Sequence, residues 1–298
     1  MRLAALVLLA LFPVPCFGQA AAGPAGAPAV RWEELTAPAF VRAVERSSST
    51  VVIPLGIVEK HGPHLPLGTD LINIREVALR AAAEEYTIVF PAHFVGQIFE
   101  ARHQPGTLAY SERLMWDLLQ ETLDEIARNG IKKIILVNGH GGNNSFLPFF
   151  CQAQLARRRD YAVYLYQPAT DPEEDAEVRK LRKTEMDMHG GEVETSTMLA
   201  HRPDLVELSQ AGAQSGDDQA RIEGLNDAYT AIWWYARFPH HYAGDARTAT
   251  RELGELVLAA QAKQLATMIR AVKADTRVLE LQQRFFNEAE RPLKTPQQ

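Results

Sequence analysis

The chain has 298 residues, a length that suits one large domain or two small ones. Its hydrophobic content of 46%, charged content of 23% and formal net charge of -6 are ordinary for a soluble globular enzyme. This balance implies no basic face, which argues against a nucleic-acid partner, and no long apolar run after the N-terminus predicts a membrane-spanning helix.

Residues 1–22 have the pattern of a secretory signal peptide. Arg2 precedes a short apolar core at 4–12, and small residues follow it. The alternative is a retained membrane anchor, but this core is too short to span a bilayer. A lipoprotein signal at Cys16 is disfavoured because Pro15 precedes it. We therefore expect a secreted or periplasmic protein with a flexible leader at 23–31.

The rest of the chain alternates strand and helix patterns at short spacing. Predicted strands cover residues 51–55, 87–91, 133–137 and 161–166. Predicted helices cover residues 32–45, 70–85, 111–129, 147–158, 252–272 and 275–290, with Asp70 and Ser111 as N-caps. This order predicts a mostly parallel sheet covered by helices on both faces.

Polar residues cluster where the first predicted strand ends. Glu59, His61, His64 and Asp70 follow an apolar run within twelve positions. In an extended segment Glu59 and His61 point to the same side. Mixed imidazole and carboxylate ligands suit zinc or manganese, so the stretch is a candidate metal cradle. His140 also follows a predicted strand, and ligands of parallel sheets gather beyond such strand ends.

Four ordered motifs carry a resemblance to a known family. They are Glu59-Lys-His61-Gly-Pro-His-Leu-Pro-Leu with Asp70, then the weaker His103-Gln-Pro-Gly-Thr107, then Asn138-Gly-His140-Gly-Gly-Asn143, then His189-Gly-Gly-Glu192-Val-Glu194-Thr-Ser. On these residues the sequence resembles the creatininase family of metal-dependent amidohydrolases. The resemblance spans residues 32–273 and leaves 274–298 as a C-terminal helix and tail. It implies a creatininase-like three-layer α/β/α sandwich and a homo-oligomer, often a hexamer.

The resemblance also implies a metal site for two divalent ions, Zn²⁺ or Mn²⁺, with Fe²⁺ as an alternative. One ion would be held by Glu59, Asp70 and His140. The other would be held by His61, the bridging Asp70 and a further carboxylate. Creatininase itself carries that carboxylate where this chain has Gly142. We expect Glu192 to replace it, with Glu194 as the competing candidate.

A proton carrier is expected beside the ions. The resemblance points to His189, because an imidazole can protonate the departing nitrogen of an amide near neutral pH. Further residues are expected to brace the ligands or contact the substrate, namely His64, His103, Asn143 and Glu194. The remaining histidines, His241 among them, are expected to be surface or packing residues. The pair Trp233–Trp234 is expected in the core or at a subunit interface rather than as a substrate platform.

The resulting prediction is a secreted metal-dependent amidohydrolase that cleaves a C–N amide bond by a metal-activated hydroxide. Creatinine is disfavoured, because the family's substrate-enclosing tryptophans are replaced by Glu185 and by Gln167 or Pro168. Relatives with the Gly-Gly motif include a formamide deformylase and a peptidase, which favours a small linear amide or a short peptide. The alternative is an extracytoplasmic metal-binding or scaffold protein that has lost catalysis.

Overall fold

A computed structural model describes residues 29–168, 171–225 and 228–297. The predicted signal peptide and most of the predicted leader lie outside these ranges. No helix within them is both long and apolar enough to cross a membrane.

The centre of the described chain is a parallel β-sheet of four strands. They are β1 (Thr50–Leu55), β2 (Ile88–Val89), β3 (Lys133–Asn138) and β4 (Ala162–Tyr166). They lie in the order β2-β1-β3-β4, and each neighbouring pair is parallel. β1 pairs with β3 over its whole length, so that Leu55 lies beside Asn138. The predicted parallel sheet is confirmed.

Helices cover this sheet. In chain order they are α1 (Ala37–Arg46), α2 (Thr69–Glu84), α3 (Glu112–Arg128), α4 (Asn143–Ala153), α5 (Pro172–Leu181), α6 (Glu192–His201), α7 (Trp233–Arg237), α8 (Arg251–Ala274) and α9 (Arg277–Ala289). Short 3₁₀ turns connect several of them.

Two hydrophobic clusters separate the faces of the sheet. Successive strand residues point to opposite sides, so Val51 and Ile53 pack with residues of α1, α3 and α4. Val52 and Ile135 pack on the other side with residues of α2, α6 and α8. Each of these buried aliphatic side chains contributes about 1.5–3 kcal/mol to folding. The molecule is therefore an α/β sandwich, as the sequence predicts.

The sheet order creates a point where the chain diverges. From β1 the chain reaches β2 on one side, and it later returns to β3 on the other side of β1. Ligands of open parallel sheets bind beyond the carboxyl ends of strands at such a point. Gly56 follows β1, and a Cβ atom there would lie 2.5 Å from the backbone nitrogen of Leu71. Glycine thus lets the first turn of α2 lie directly against the strand end.

Some element boundaries differ from the prediction. Ser111 caps α3 as expected, since its side chain accepts a hydrogen bond from the backbone N–H of Leu114. Asp70 does not cap α2; Gly68 occupies the cap position, and Asp70 lies buried within the first turn. α4 begins at Asn143, four residues earlier than predicted, and it accommodates Pro148. The apolar pattern alone did not include the polar first turn of α4.

Candidate metal centre

The ends of β1 and β3 deliver the central side chains. Glu59 and His61 lie on the segment after β1, His140 follows β3, and Asp70 comes from α2. All four side chains are buried. The N-terminus of a helix carries partial positive charge, which favours a carboxylate at the position of Asp70.

A first cluster joins Glu59, Asp70 and His140. Nδ1 of His140 lies 2.7 Å from Oε1 of Glu59 and 3.0 Å from Oδ2 of Asp70. Nε2 of His140 donates its hydrogen to the carbonyl oxygen of Gln97 at 2.7 Å. In the neutral ring Nδ1 is then an acceptor, and it faces two carboxylate oxygens that have no hydrogen-bond partner among the described residues. A proton or a cation must therefore lie between Nδ1 of His140 and the two carboxylate oxygens.

A second cluster shares Asp70 with the first. His61, Asp70 and Glu194 each place one candidate ligand atom within 4.8 Å of the others. Nδ1 of His61 donates to the carbonyl oxygen of Glu59 at 3.3 Å, and its Nε2 lies 2.9 Å from Oδ1 of Asp70. Asp70 therefore directs one oxygen to each cluster, as a bridging carboxylate does.

The electrostatics of both clusters are dominated by burial and by mutual attraction. Burial alone would lower the pKa of His61, but Asp70, with Glu194 and Glu59, raises it to about 10. Burial likewise opposes the positive charge of His140, yet Glu59 and Asp70 raise the pKa of this ring well above its usual range. Burial would raise the pKa of Glu59, and the imidazoles around it lower it well below the usual value. Without another cation, protons on the imidazoles balance the carboxylates, and bound metal ions would displace them.

Glu192 and Glu194 exchange the positions that the sequence suggested. The carboxylate of Glu192 is buried and accepts hydrogen bonds from the backbone N–H groups of Lys183 and Thr184, at 2.8 to 3.1 Å. The structure does not bring it to either cluster. Glu194 is only partly buried, accepts from the backbone N–H of Gly190 at 2.5 Å, and joins His61 and Asp70. The expectation that Glu192 completes the ligand set is therefore corrected in favour of Glu194.

His189 lies beside the clusters. Its ring stacks on the ring of His61 with 4.3 Å between centroids, and its backbone pairs with Ala243. Nε2 of His189 donates to the carbonyl oxygen of Lys60 at 2.8 Å and lies 3.9 Å from Oε2 of Glu59. Glu59, His61 and His189 also form a third group that could hold an ion. The role predicted for His189 as a proton carrier stays a prediction.

Besides Glu194, two of the residues expected around the ligands, His64 and Asn143, lie close to them. Nε2 of His64 lies 2.8 Å from the hydroxyl oxygen of Thr195, and burial lowers the pKa of His64 to about 4. Asn143 accepts a hydrogen bond from the backbone N–H of Gln97 at 3.0 Å, which holds the carbonyl that orients His140.

His103 lies away from the ligand clusters. Its Nε2 donates to the carbonyl oxygen of Pro239 at 2.9 Å. The residue borders a separate cavity of about 880 Å³ lined by aromatic side chains.

Sequence analysis missed one residue of the site, His241. Its Nε2 lies 2.5 Å from Oε2 of Glu59, and its Nδ1 accepts a hydrogen bond from the indole N–H of Trp234 at 2.8 Å. His241 is buried, as a packing residue is, but its ring also contacts the carboxylate of Glu59, a role that was not expected from the sequence. It lies 182 residues from Glu59 along the chain, and no local motif marks it.

A cavity of about 390 Å³ opens onto the clusters. Asp70, His140 and Glu194 line one end of it. The rest of the wall comes from α2, α4, α6 and α8 and from the ends of β3 and β4. Fold and site together define an α/β protein with a candidate two-metal centre at the carboxyl ends of its parallel strands.

Comparison with known proteins identifies the family. The sequence model of the creatininase family, described as creatinine amidohydrolase, matches residues 33–269. Creatinine amidohydrolase of Pseudomonas putida is 28% identical over 252 residues, which cover 80% of this chain and 95% of that protein. The mycofactocin precursor peptide peptidase of Mycolicibacterium smegmatis is 32% identical over 162 residues, which cover 52% of this chain and 59% of that protein. The chain belongs to the creatininase family of amidohydrolases.

Solved structures agree with this assignment. A mutant creatininase described as the Zn-Zn type superposes with a TM-score of 0.69 at 25% identity, covering 83% of this chain and 99% of that one. Solved creatininases also include a manganese form.

Proposed function

We propose that this protein is a metal-dependent hydrolase that cleaves a C–N amide bond in a small or peptide-like substrate. The observation that carries the proposal is the convergence of two buried carboxylate oxygens on Nδ1 of His140, with Glu59 Oε1 at 2.7 Å and Asp70 Oδ2 at 3.0 Å. Apart from this ring nitrogen, the two carboxylate oxygens have no hydrogen-bond partner among the described residues. Buried acceptors without donors are costly unless a cation joins them.

Two sets of ligands follow from the clusters. Glu59, Asp70 and His140 would hold one divalent ion. His61, Asp70 and Glu194 would hold the other, with Asp70 as the bridge. Zn²⁺ and Mn²⁺ both suit this mixture of imidazole and carboxylate ligands. A pair of such ions activates water and polarises a carbonyl group.

The protein's own contribution to the proton transfer is assigned to His189. Its Nε2–H donates to the carbonyl oxygen of Lys60, which orients the ring and leaves Nδ1 as the nitrogen that takes up and releases a proton. Stacking on His61 keeps the ring beside the second cluster.

The cavity indicates which amides are suitable. No lysine or arginine lines it among the described residues, and protein sites that bind carboxylate or phosphate groups use these bases. Gln167 and Pro168, where creatininase places a tryptophan, contribute to the wall. We therefore propose a linear amide or a short peptide whose bound portion carries no anionic group. The peptidase among the relatives supports a peptide-like substrate.

Secretion and assembly are part of the same proposal. The signal-peptide pattern of residues 1–22 supports export to the periplasm or the medium. The family resemblance supports a homo-oligomer. An extracytoplasmic amidohydrolase would act on amides or peptides that reach the cell from outside.

The test is the metal content and the amidase activity of the mature protein, with Asp70→Asn as the variant. Wild type is expected to hold about two ions per chain, measured by inductively coupled plasma mass spectrometry, and to hydrolyse members of a panel of neutral formamides and dipeptide amides. Asp70→Asn removes the negative charge that both clusters share and replaces one of its two oxygens by an NH2 group, so it should lose both ions and at least ~100-fold in activity. The exposed Asp117→Asn is the matched control.

Two outcomes would contradict the proposal. A reconstituted wild type without bound ions excludes the metal-dependent mechanism. A wild type that binds two ions but hydrolyses no amide of the panel favours the alternative of a metal-binding protein without catalysis.

A further inference from the structure

The two oxygens of Glu59 have different partners. Oε1 faces Nδ1 of His140 at 2.7 Å in the first cluster. Oε2 contacts Nε2 of His241 at 2.5 Å. The side chain of Glu59 is completely buried, so the groups that touch it decide how its carboxylate is oriented.

The hydrogen position on His241 follows from its second contact. The indole nitrogen of Trp234 can only donate a hydrogen bond, and it lies 2.8 Å from Nδ1 of His241. Nδ1 must therefore be the acceptor, and the single hydrogen of the neutral ring is on Nε2. That hydrogen points to Oε2 of Glu59. Trp234 therefore donates a hydrogen bond to His241, and His241 donates one to Glu59.

The backbone fixes His241 as firmly as the side chain does. Its φ of 50° lies in the left-handed region, which is uncommon for residues other than glycine and persists where surrounding contacts hold it. The carbonyl oxygen of His241 accepts from the N–H of Gly62, and its N–H donates to the carbonyl oxygen of Phe238. Thus both its ring and its backbone are attached to the loop that carries Glu59 and His61.

The ring also touches the predicted proton carrier. The centroids of His241 and His189 are 4.4 Å apart, and the ring of Trp234 lies 5.9 Å from His189. His241 thus contacts both the carboxylate of Glu59 and the residue that would protonate the leaving group. A substitution that removes its ring would free Glu59 and His189 together.

We propose that His241, held as the Nε2–H tautomer by Trp234, is a positioning residue that reserves Oε2 of Glu59 and leaves only Oε1 for the metal ion. The inference rests on the proposed two-metal function. It makes Glu59 a ligand with one oxygen rather than two. Groups that orient a metal ligand from behind in this way typically change metal affinity by about 10–100-fold.

The test measures the dissociation constants of Zn²⁺ and Mn²⁺ by chelator competition in the mature wild type and in three variants. His241→Ala removes the donor, and we expect one of the two ions to bind about 10–100-fold more weakly while the other is unchanged. His241→Gln restores an N–H donor near the position of Nε2 and should recover most of the affinity. Trp234→Phe keeps the aromatic packing but frees the tautomer, so it should weaken the same ion by a smaller factor.

Two outcomes would overturn the inference. Unchanged affinities in His241→Ala would show that Glu59 needs no second partner. Equal weakening in His241→Ala and His241→Gln, with no effect of Trp234→Phe, would show a purely structural role. Should His241→Ala fail to fold, the other two variants still decide between positioning and packing. A wild type that binds no ion is a different result, because it removes the proposed function itself and the inference with it.

Discussion

The first turn of α6 carries two carboxylates with opposite environments. Glu192 is completely buried, and its oxygens accept from two backbone N–H groups. Glu194 is less buried and accepts from one. Burial therefore does not distinguish a candidate ligand from a structural carboxylate at this site. The two residues differ in how many hydrogen bonds their carboxylates already accept. Glu194 accepts fewer of them, and it places a carboxylate oxygen near His61 and Asp70.

We expect the strongest loss of metal binding and activity in Glu194→Gln. Loss of one carboxylate charge and one ligand oxygen should reduce the metal content from about two ions per chain towards one. Amide hydrolysis should fall by at least ~100-fold. Metal analysis and initial rates on the same preparations check this. Retention of both ions would return Glu192 to consideration.

A smaller effect concerns a buried acceptor outside the clusters, His93. Its Nε2 has no partner among the described residues, and burial lowers the pKa of His93 to about 4. Because the unfolded chain binds a proton near pH 6.5 and the folded chain does not, stability should fall as the pH drops from about 6.5 to about 4. Over this pH range, protonation of His93 should lower the free energy of unfolding by about 3 kcal/mol.

The measurement is urea unfolding of the chelator-treated protein across that range, with His93→Gln as the variant. His93→Gln should show a shallower decline and an unchanged metal content. Loss of an ion in this variant would mean that His93 is itself a metal ligand. That result would contradict the assignment of the ligands to the two clusters.

The smallest effect is expected for Glu192→Gln. An amide offers one acceptor oxygen instead of two, so one hydrogen bond to the backbone of 183–184 is lost. A buried hydrogen bond to a charged group contributes about 1.5–3 kcal/mol. Denaturant unfolding should show a loss of this size, with both ions retained. The exposed Glu121→Gln is the control and should change stability by less than about 0.5 kcal/mol.

The sequence predicted the parts of the site that are local. Glu59, His61 and Asp70 come from one contiguous stretch, and the end of β3 supplies His140. The rule that ligands bind beyond the carboxyl ends of parallel strands was enough to group them. The choice between Glu192 and Glu194 could not be made from the local sequence. Residues two apart on a helix point about 200° away from each other, and only the docking of α6 decides which one faces the strands.

The fold was predictable for a similar reason. Continuous apolar runs marked β1, β3 and β4, and the cap at Ser111 marked α3. α6 was not predicted, because its first turn reads as a polar motif rather than as an apolar stripe. His241 was missed because its contact with Glu59 exists only after residues far apart in sequence have packed together.

The pairing of β1 with β3 also determines when the centre can form during folding. Glu59 and Asp70 precede His140 in the chain, and the ends of β1 and β3 that carry Glu59 and His140 come together when Leu55 and Asn138 reach the same level of the sheet. Parallel pairing across such a sequence separation is a slow, late event. A metal ion therefore has no assembled ligands to bind in the early chain. A metal ion bound at this centre would stabilise the finished sheet, so metal supply should govern how long the folded protein persists rather than how fast it folds.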